Sequence, residues 1–258
     1  MEENNVFGLA WLALMQRKLA PRGLGLALPL ALALFATSGS ANPPNVKGKI
    51  SGYEKLVPEV YAETAKPDSR RWTWREPSPS VAQQFRILSA NPSRDICLAA
   101  TTGANQEKQE FRMTVTGGRV FPTTIVVTPG TNLAFKNVDP FNHRIYVVSA
   151  TGQTLLKAED LAANGVRSWG PQGAGKYEVR DELFPSVRTY VVVDPQVAQI
   201  AYPGRDGAFG FSLPNGDYVL KAFFNGKPIG KPVNFTAKEK GVLEIKEPLK
   251  LDEGLETK

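Results

Sequence analysis

Alternation of apolar and polar positions dominates the chain from Phe111 onward. Thr123, Ile125 and Val127 fall on one face of an extended segment, and Thr124 and Val126 fall on the other. Pro129-Gly130 then turns the chain, and Leu133 and Phe135 resume a buried face. Ile145 to Val148, Tyr177 with Val179, and Tyr190 to Val193 predict further strands. Thr154 to Asn164, TLLKAEDLAAN, reads as the one helix, with Asn164-Gly165 as its stop. Further on, Phe209, Phe211 and Leu213 alternate, Pro214 to Asp217 turns, and Tyr218, Leu220 and Ala222 alternate back, a hairpin pattern. Asn225-Gly226 supplies a second tight turn, and Val233 with Phe235 and Val242 to Ile245 complete four strands.

Upstream, Val46 to Tyr53 and Leu56 to Glu63 have β-type patterning. The polar run Ala100 to Lys108 is a seam between units. Many short strands with little helix predict a mainly β chain of two β-sandwich units. The expected division is 42–110, an N-terminal β segment partly pairing with the last unit, then 111–195 and 196–258. In particular, residues 46–65 are expected to complete the C-terminal sandwich, with the central unit inserted between.

The amino terminus adds a compartment. In residues 1–41, Arg17, Lys18 and Arg22 precede the apolar run Leu24 to Ala36, and Gly39 and Ala41 suit the −3 and −1 positions of a cleavage site. The run is shorter than the roughly 20 residues of a membrane span. A signal peptide is therefore expected, and the protein is exported to the periplasm or cell surface, with peripheral membrane contact at most. The acidic MEENNVFGLAWLAL is unusual ahead of such a segment, which favours Met15 as the start.

Composition removes several chemistries. The chain of 258 residues has a formal charge of +6, one Cys and one His. Its basic residues are scattered apart from Arg70, Arg71 and Arg75, so nucleic acid is not an expected partner. A single His leaves no His-rich zinc site, and a Ser-His-Asp triad would have to use His143. No Gly-x-Ser-x-Gly elbow, P-loop or dinucleotide fingerprint is present, so no enzyme activity is expected. Cys97, in a small apolar run, reads as a buried core thiol. Trp72 and Trp74, flanked by Arg75, share a face if extended. They either stack on a sugar or peptide ligand or pack on a neighbouring sheet beneath the Arg stems.

The stretch FPTTIVVTPGTNLAFKNVDPFNH, Phe121 to His143, resembles the opening of a cupredoxin, the blue-copper fold. It has the aromatic-Pro pair, the apolar strand, Pro129-Gly130-Thr131, Leu133 to Asn137, then Asp139 and His143. GKYEVRDELFPSVRTYVVV, Gly175 to Val193, resembles the family's closing half. The resemblance implies that His143 is the first copper-ligand position. It also places Asp181 where the family has Cys, Phe184 where it has the second His, and Val187 where it has Met. A blue-copper centre needs two imidazoles and a thiolate, so the copper ligands are degenerate and no cofactor is expected. His143 and Asp181 alone would hold a metal only weakly. Otherwise His143 is a hydrogen-bonded remnant, with Asp181 accepting from it or from Arg180 or Arg188.

GAFGFSLPNGDYVLKAFFNGKPI resembles the carboxypeptidase regulatory-like, or transthyretin-like, β-sandwich, an interaction module without chemistry of its own. Together these features imply an exported, non-catalytic, metal-free cell-envelope protein. Its partner would be an envelope protein or polymer, met through Trp72, Trp74, Arg75 or Phe184. The alternative is a periplasmic copper-binding or electron-transfer protein using His143 in a non-standard site.

Overall fold

The computed structural model describes residues 43–58 and 89–252. The signal segment and the candidate surface of Trp72, Trp74 and Arg75 lie outside the described residues. Among the described residues no helix is long and apolar enough to cross a membrane.

Among the described residues seventeen strands are formed, mostly where apolar residues alternate. They are β1 (Val46–Ser51), β2 (Ile96–Thr101), β3 (Glu110–Thr116), β4 (Arg119–Phe121), β5 (Thr124–Val127), β6 (Asn132–Asn137), β7 (His143–Ser149), β8 (Thr154–Leu161) and β9 (Val166–Trp169). Then come β10 (Gly175–Asp181), β11 (Arg188–Val193), β12 (Val197–Ala201), β13 (Ala208–Phe211), β14 (Gly216–Phe224), β15 (Lys227–Ala237), β16 (Leu243–Glu244) and β17 (Leu249–Lys250). A single helical turn, α1 (Pro92–Asp95), precedes β2. Asn91 caps it by accepting from the Ser93 amide, and proline stands at its first position.

The strands form two sandwiches. In the first, the sheet β5-β11-β10-β7-β8 packs on β4-β3-β6-β9. Met113, Val115, Leu133, Phe135, Ile145, Val147, Val179 and Val191 fill the space between, all fully buried. Two pairings in it are parallel, β5 with β11 and β3 with β6, so the chain crosses over between distant segments. In the second, β12-β2-β14-β15 packs on a sheet in which β1 pairs with β13, β16 and β17. Its core includes Ile96, Leu98, Phe211, Tyr218 and Leu220. Strands from both ends of the chain thus build the second sandwich, and the first is inserted between them.

The sandwiches touch through a small third cluster of Cys97, Ala99, Val126, Val197 and Phe223. Polar ties flank it. Thr123 donates its amide to the Arg94 carbonyl at 3.1 Å and its hydroxyl to Asp95 at 2.9 Å, and Tyr202 donates to the Thr124 carbonyl at 2.9 Å. The turn at Asn225-Gly226 seats against the first sandwich. Gly226 has φ +68, and a Cβ there would stand 2.8 Å from Lys176 and from Tyr190, so only glycine fits.

Two expectations are corrected. Thr154 to Asn164 is not a helix, because Thr154–Leu161 is the edge strand β8, paired antiparallel with β7. Its residues have good helix propensity, but so short an isolated helix is marginal, and the β7 edge offers partners to the backbone groups that face it. A register shift near Val147 is held by Arg167, which donates to the carbonyls of Lys157 at 2.5 Å and Ile145 at 2.7 Å. Asn164-Gly165 serves as the β8–β9 turn, with Asn164 at φ 63.

Nor do Phe209 to Leu213 and Tyr218 to Ala222 form a hairpin. β13 pairs with β1, while β14 pairs with β2 and β15. The two strands belong to opposite sheets and present Phe209, Phe211, Leu213, Tyr218 and Leu220 to one core. Alternation specifies which face is buried, and two strands facing each other across a core satisfy it as well as two strands side by side.

Candidate functional site

Four connections meet at one end of the first sandwich: the β3–β4 turn at Gly117-Gly118, the β6–β7 loop, the β8–β9 turn and the β10–β11 loop. They are joined by polar side chains. Asn137, fully buried at the end of β6, donates its amide to the carbonyls of Phe141 at 2.8 Å, Leu161 at 3.0 Å and Ala162 at 3.1 Å. Its side-chain oxygen accepts the Asp139 amide at 2.9 Å, which turns the loop. Asp139 then accepts from the amides of Gly117 at 2.6 Å and Gly118 at 3.0 Å.

His143, the first residue of β7, is 0% exposed. Its Nε2 lies 3.0 Å from Asp139 Oδ2 and its Nδ1 lies 3.0 Å from Asp181 Oδ2. Asp181, the last residue of β10, also accepts from the Arg144 amide at 2.9 Å, the Leu183 amide at 2.7 Å and the Phe184 amide at 2.9 Å. Its acceptor capacity is filled. A neutral imidazole carries a single N–H, so filling both of its hydrogen bonds to carboxylates takes one more proton within the triad. Burial alone would raise the Asp139 carboxyl. The amides of Gly118 and Gly117 and the His143 ring outweigh that and hold it below the ordinary carboxylate value.

Two phenyl rings roof the triad. The His143 ring centroid is 5.2 Å from that of Phe141 and 5.0 Å from that of Phe184, and the two phenyls are 4.9 Å apart. Outside them the surface is apolar: Val138 is 47% exposed, Phe141 39% and Leu183 46%.

Of the residues singled out in the sequence, His143, Asp181 and Phe184 are brought together here. Asp181 accepts from His143 and not from Arg180, whose guanidinium is held by Glu178 at 2.5 and 2.9 Å. Val187 is buried in the core. The partnership of Asp139, Asn137 and the Gly117-Gly118 turn was not anticipated. Its trace in the sequence is Asn137-x-Asp139 closing β6 just before His143.

The donor set does not match a mononuclear blue-copper centre. Both imidazole nitrogens are directed at carboxylates, and the position aligned with the second imidazole carries a phenyl ring. The single thiol, Cys97, belongs to the cluster between the sandwiches. Burial there pushes it up to about 12, against the Val126 backbone and Tyr202 hydrogen bonds that lower it.

No protein-family model matches the chain, and no curated protein matches it. Among solved structures, an amicyanin mutant in its reduced state is 17% identical, with a TM-score of 0.30, over 37% of this chain and 99% of that one. A second amicyanin mutant, in the Cu(I) form, is 15% identical, with a TM-score of 0.30, over 38% and 98%. A purple cupredoxin from Nitrosopumilus maritimus is 17% identical, with a TM-score of 0.29, over 34% and 100%.

Proposed function

We propose that this chain is an exported, non-catalytic binding module: a cupredoxin-like frame whose metal end has become a metal-free, hydrogen-bonded tip, carried on a transthyretin-like sandwich. One observation carries the reading. His143, at the first copper-ligand position of the resemblance, has both ring nitrogens at 3.0 Å from carboxylates. Binding copper there would strip one of those bonds from a buried carboxylate, a loss on the order of 3 kcal/mol. Among the described residues, no group of three or more His, Cys, Asp or Glu side chains is arranged to hold a metal ion. Under this reading export rests on the basic and apolar run at Arg17 to Ala36, with the periplasm or cell surface as the compartment.

The partner surface under this reading is the apolar roof of Val138, Phe141, Leu183 and Phe184. Exposed apolar residues gathered on separate loops and backed by a rigid polar knot are typical of protein contacts. The expected partner is a protein or polymer of the envelope. Metal analysis and absorption spectra of the purified chain after Cu(II) addition test the metal-free state. Stoichiometric copper that disappears in His143→Ala would overturn it in favour of the copper-binding alternative. Retention of envelope components on immobilised protein, compared with Leu183→Asp, tests the surface; equal retention by both sinks it.

A further inference from the structure

A second site lies on the C-terminal sandwich, away from the roof. On β14, Tyr218 and Leu220 enter the core, so Asp217, Val219 and Lys221 point outward. β14 is paired on both sides, with β2 and with β15, and the registers lay out a grid. Val219 stands between Thr101 and Asn234, and Asp217 stands beside Thr236. Neighbours in such a grid are about 5 Å apart across strands and about 7 Å apart along one strand. Thr102 and Gly103 after β2, with Gln196 ahead of β12, add a wall, and together these residues bound an open trough of about 480 Å³. On its sheet face Val219 is an apolar spot with polar side chains around it.

Much of the hydrogen-bonding capacity of those side chains is unused. Asp217 accepts the Thr236 hydroxyl at 2.6 Å on Oδ1, which leaves Oδ2. Lys221 donates to Asp194 at 3.2 Å and keeps further N–H groups. The side-chain amides of Asn234 and Gln196 have no hydrogen-bond partner among the described residues.

We propose that this trough binds a neutral saccharide, with one pyranose unit of a glycan seated over Val219. A pyranose has a C–H face to cover an apolar spot and a rim of hydroxyls, each both donor and acceptor. The Asp217 carboxylate, the amides of Asn234 and Gln196 and the Lys221 ammonium supply both roles around that rim. Charge disfavours an anion, because Asp194 already neutralises Lys221 and Asp217 is left over. Nor does an extended peptide suit the trough. Such a peptide docks by pairing its backbone with a free strand edge, and β14 has none. The site is independent of the apolar roof, so losing one leaves the other in place.

The test is a titration of the full chain followed through the Asn234 and Gln196 side-chain amide signals in NMR. The probes are the methyl glycosides of glucose, mannose, galactose and N-acetylglucosamine. A blocked Ala-Asn-Ala peptide and acetate serve as comparators, all at constant ionic strength. At least one glycoside should shift both amide signals saturably, and the comparators should not. Asp217→Ala should weaken that binding about ten-fold and Asn234→Ala about five-fold, while Arg112→Gln on β3 leaves it unchanged. Asn234→Asp, which keeps the shape and loses the donors, should weaken it as well and guards against an alanine variant that does not fold. Absence of saturation by every glycoside, wild-type binding in the Asp217 and Asn234 variants, or peptide or acetate binding as tightly as the glycoside overturns the proposal.

Discussion

Asp181 Oδ2 lies 3.0 Å from His143 Nδ1, across the ends of two neighbouring antiparallel strands. The same carboxylate fastens the backbone of Arg144, Leu183 and Phe184. Asp181→Ala should therefore cost about 3–5 kcal/mol, because it leaves a buried ring and three amides without their acceptor. Asp181→Asn, which keeps the shape and one acceptor oxygen, should cost less. Urea unfolding with unchanged slope and a lowered midpoint is the expected result. A midpoint unmoved by Asp181→Ala would show that the knot does not support the tip.

Asp139 gives the tip an acid sensitivity whose sign follows from its lowered carboxyl. A group with a depressed folded-state value contributes stability that is complete above its unfolded value, about pH 4. That contribution is lost as pH falls through the lower folded value. The wild-type chain should lose stability below about pH 4 more steeply than Asp139→Asn, with the two curves parallel at neutral pH. Parallel curves throughout the acid range would contradict the role of Asp139.

Much of this tip was legible in the sequence, and the reason is specific. The resemblance paired His143 with Asp181, and the fold brings them together because His143 opens β7 and Asp181 closes β10, its antiparallel neighbour. Asp139 and Asn137 were harder to read. Their roles depend on which backbone amides and carbonyls a loop brings within reach, and no periodicity encodes that. β8 was misread because the residues of Thr154–Leu161 favour a helix locally, while the edge of β7 and the fork of Arg167 decide the outcome through distant contacts. β13 and β14 were misread because a buried face does not say which sheet a strand joins.

Cys97 offers a probe of the seam between the sandwiches. It is fully buried, with its thiol pushed up to about 12, so thiolate is scarce at neutral pH and access is closed. A disulfide reagent should leave it unmodified in native buffer and label it fully in denaturant. Rapid labelling of the native protein would mean that the cluster around Phe223 opens readily.

Arg167 holds the edge strand by donating to the carbonyls of Lys157 and Ile145. Arg167→Ala removes both donors and should cost about 1–3 kcal/mol. Arg167→Lys should recover only part, since one ammonium cannot reproduce the fork. Hydrogen exchange should rise first in Lys157 to Leu161, and protection unchanged there would rule out this function for Arg167.

The alignment of the β10–β11 loop with a cupredoxin loop makes its own prediction. Asp181→Cys, Phe184→His and Val187→Met together supply a thiolate, a second imidazole and a thioether where the resemblance expects them. The geometry favours this set. Asp181 faces His143 Nδ1, so its replacement puts sulfur beside a released ring nitrogen. Asp139 remains at 3.0 Å from Nε2 to hold the other N–H, the arrangement that orients metal-bound histidines. The triple variant should bind one Cu(II) with intense visible colour, and adding Asp139→Asn should weaken its affinity about 10–100-fold. Asp181→Cys alone should remain colourless, having neither the second imidazole nor the axial ligand. A triple variant that folds and stays colourless in Cu(II) would show that Asp181, Phe184 and Val187 do not occupy the ligand positions assigned to them.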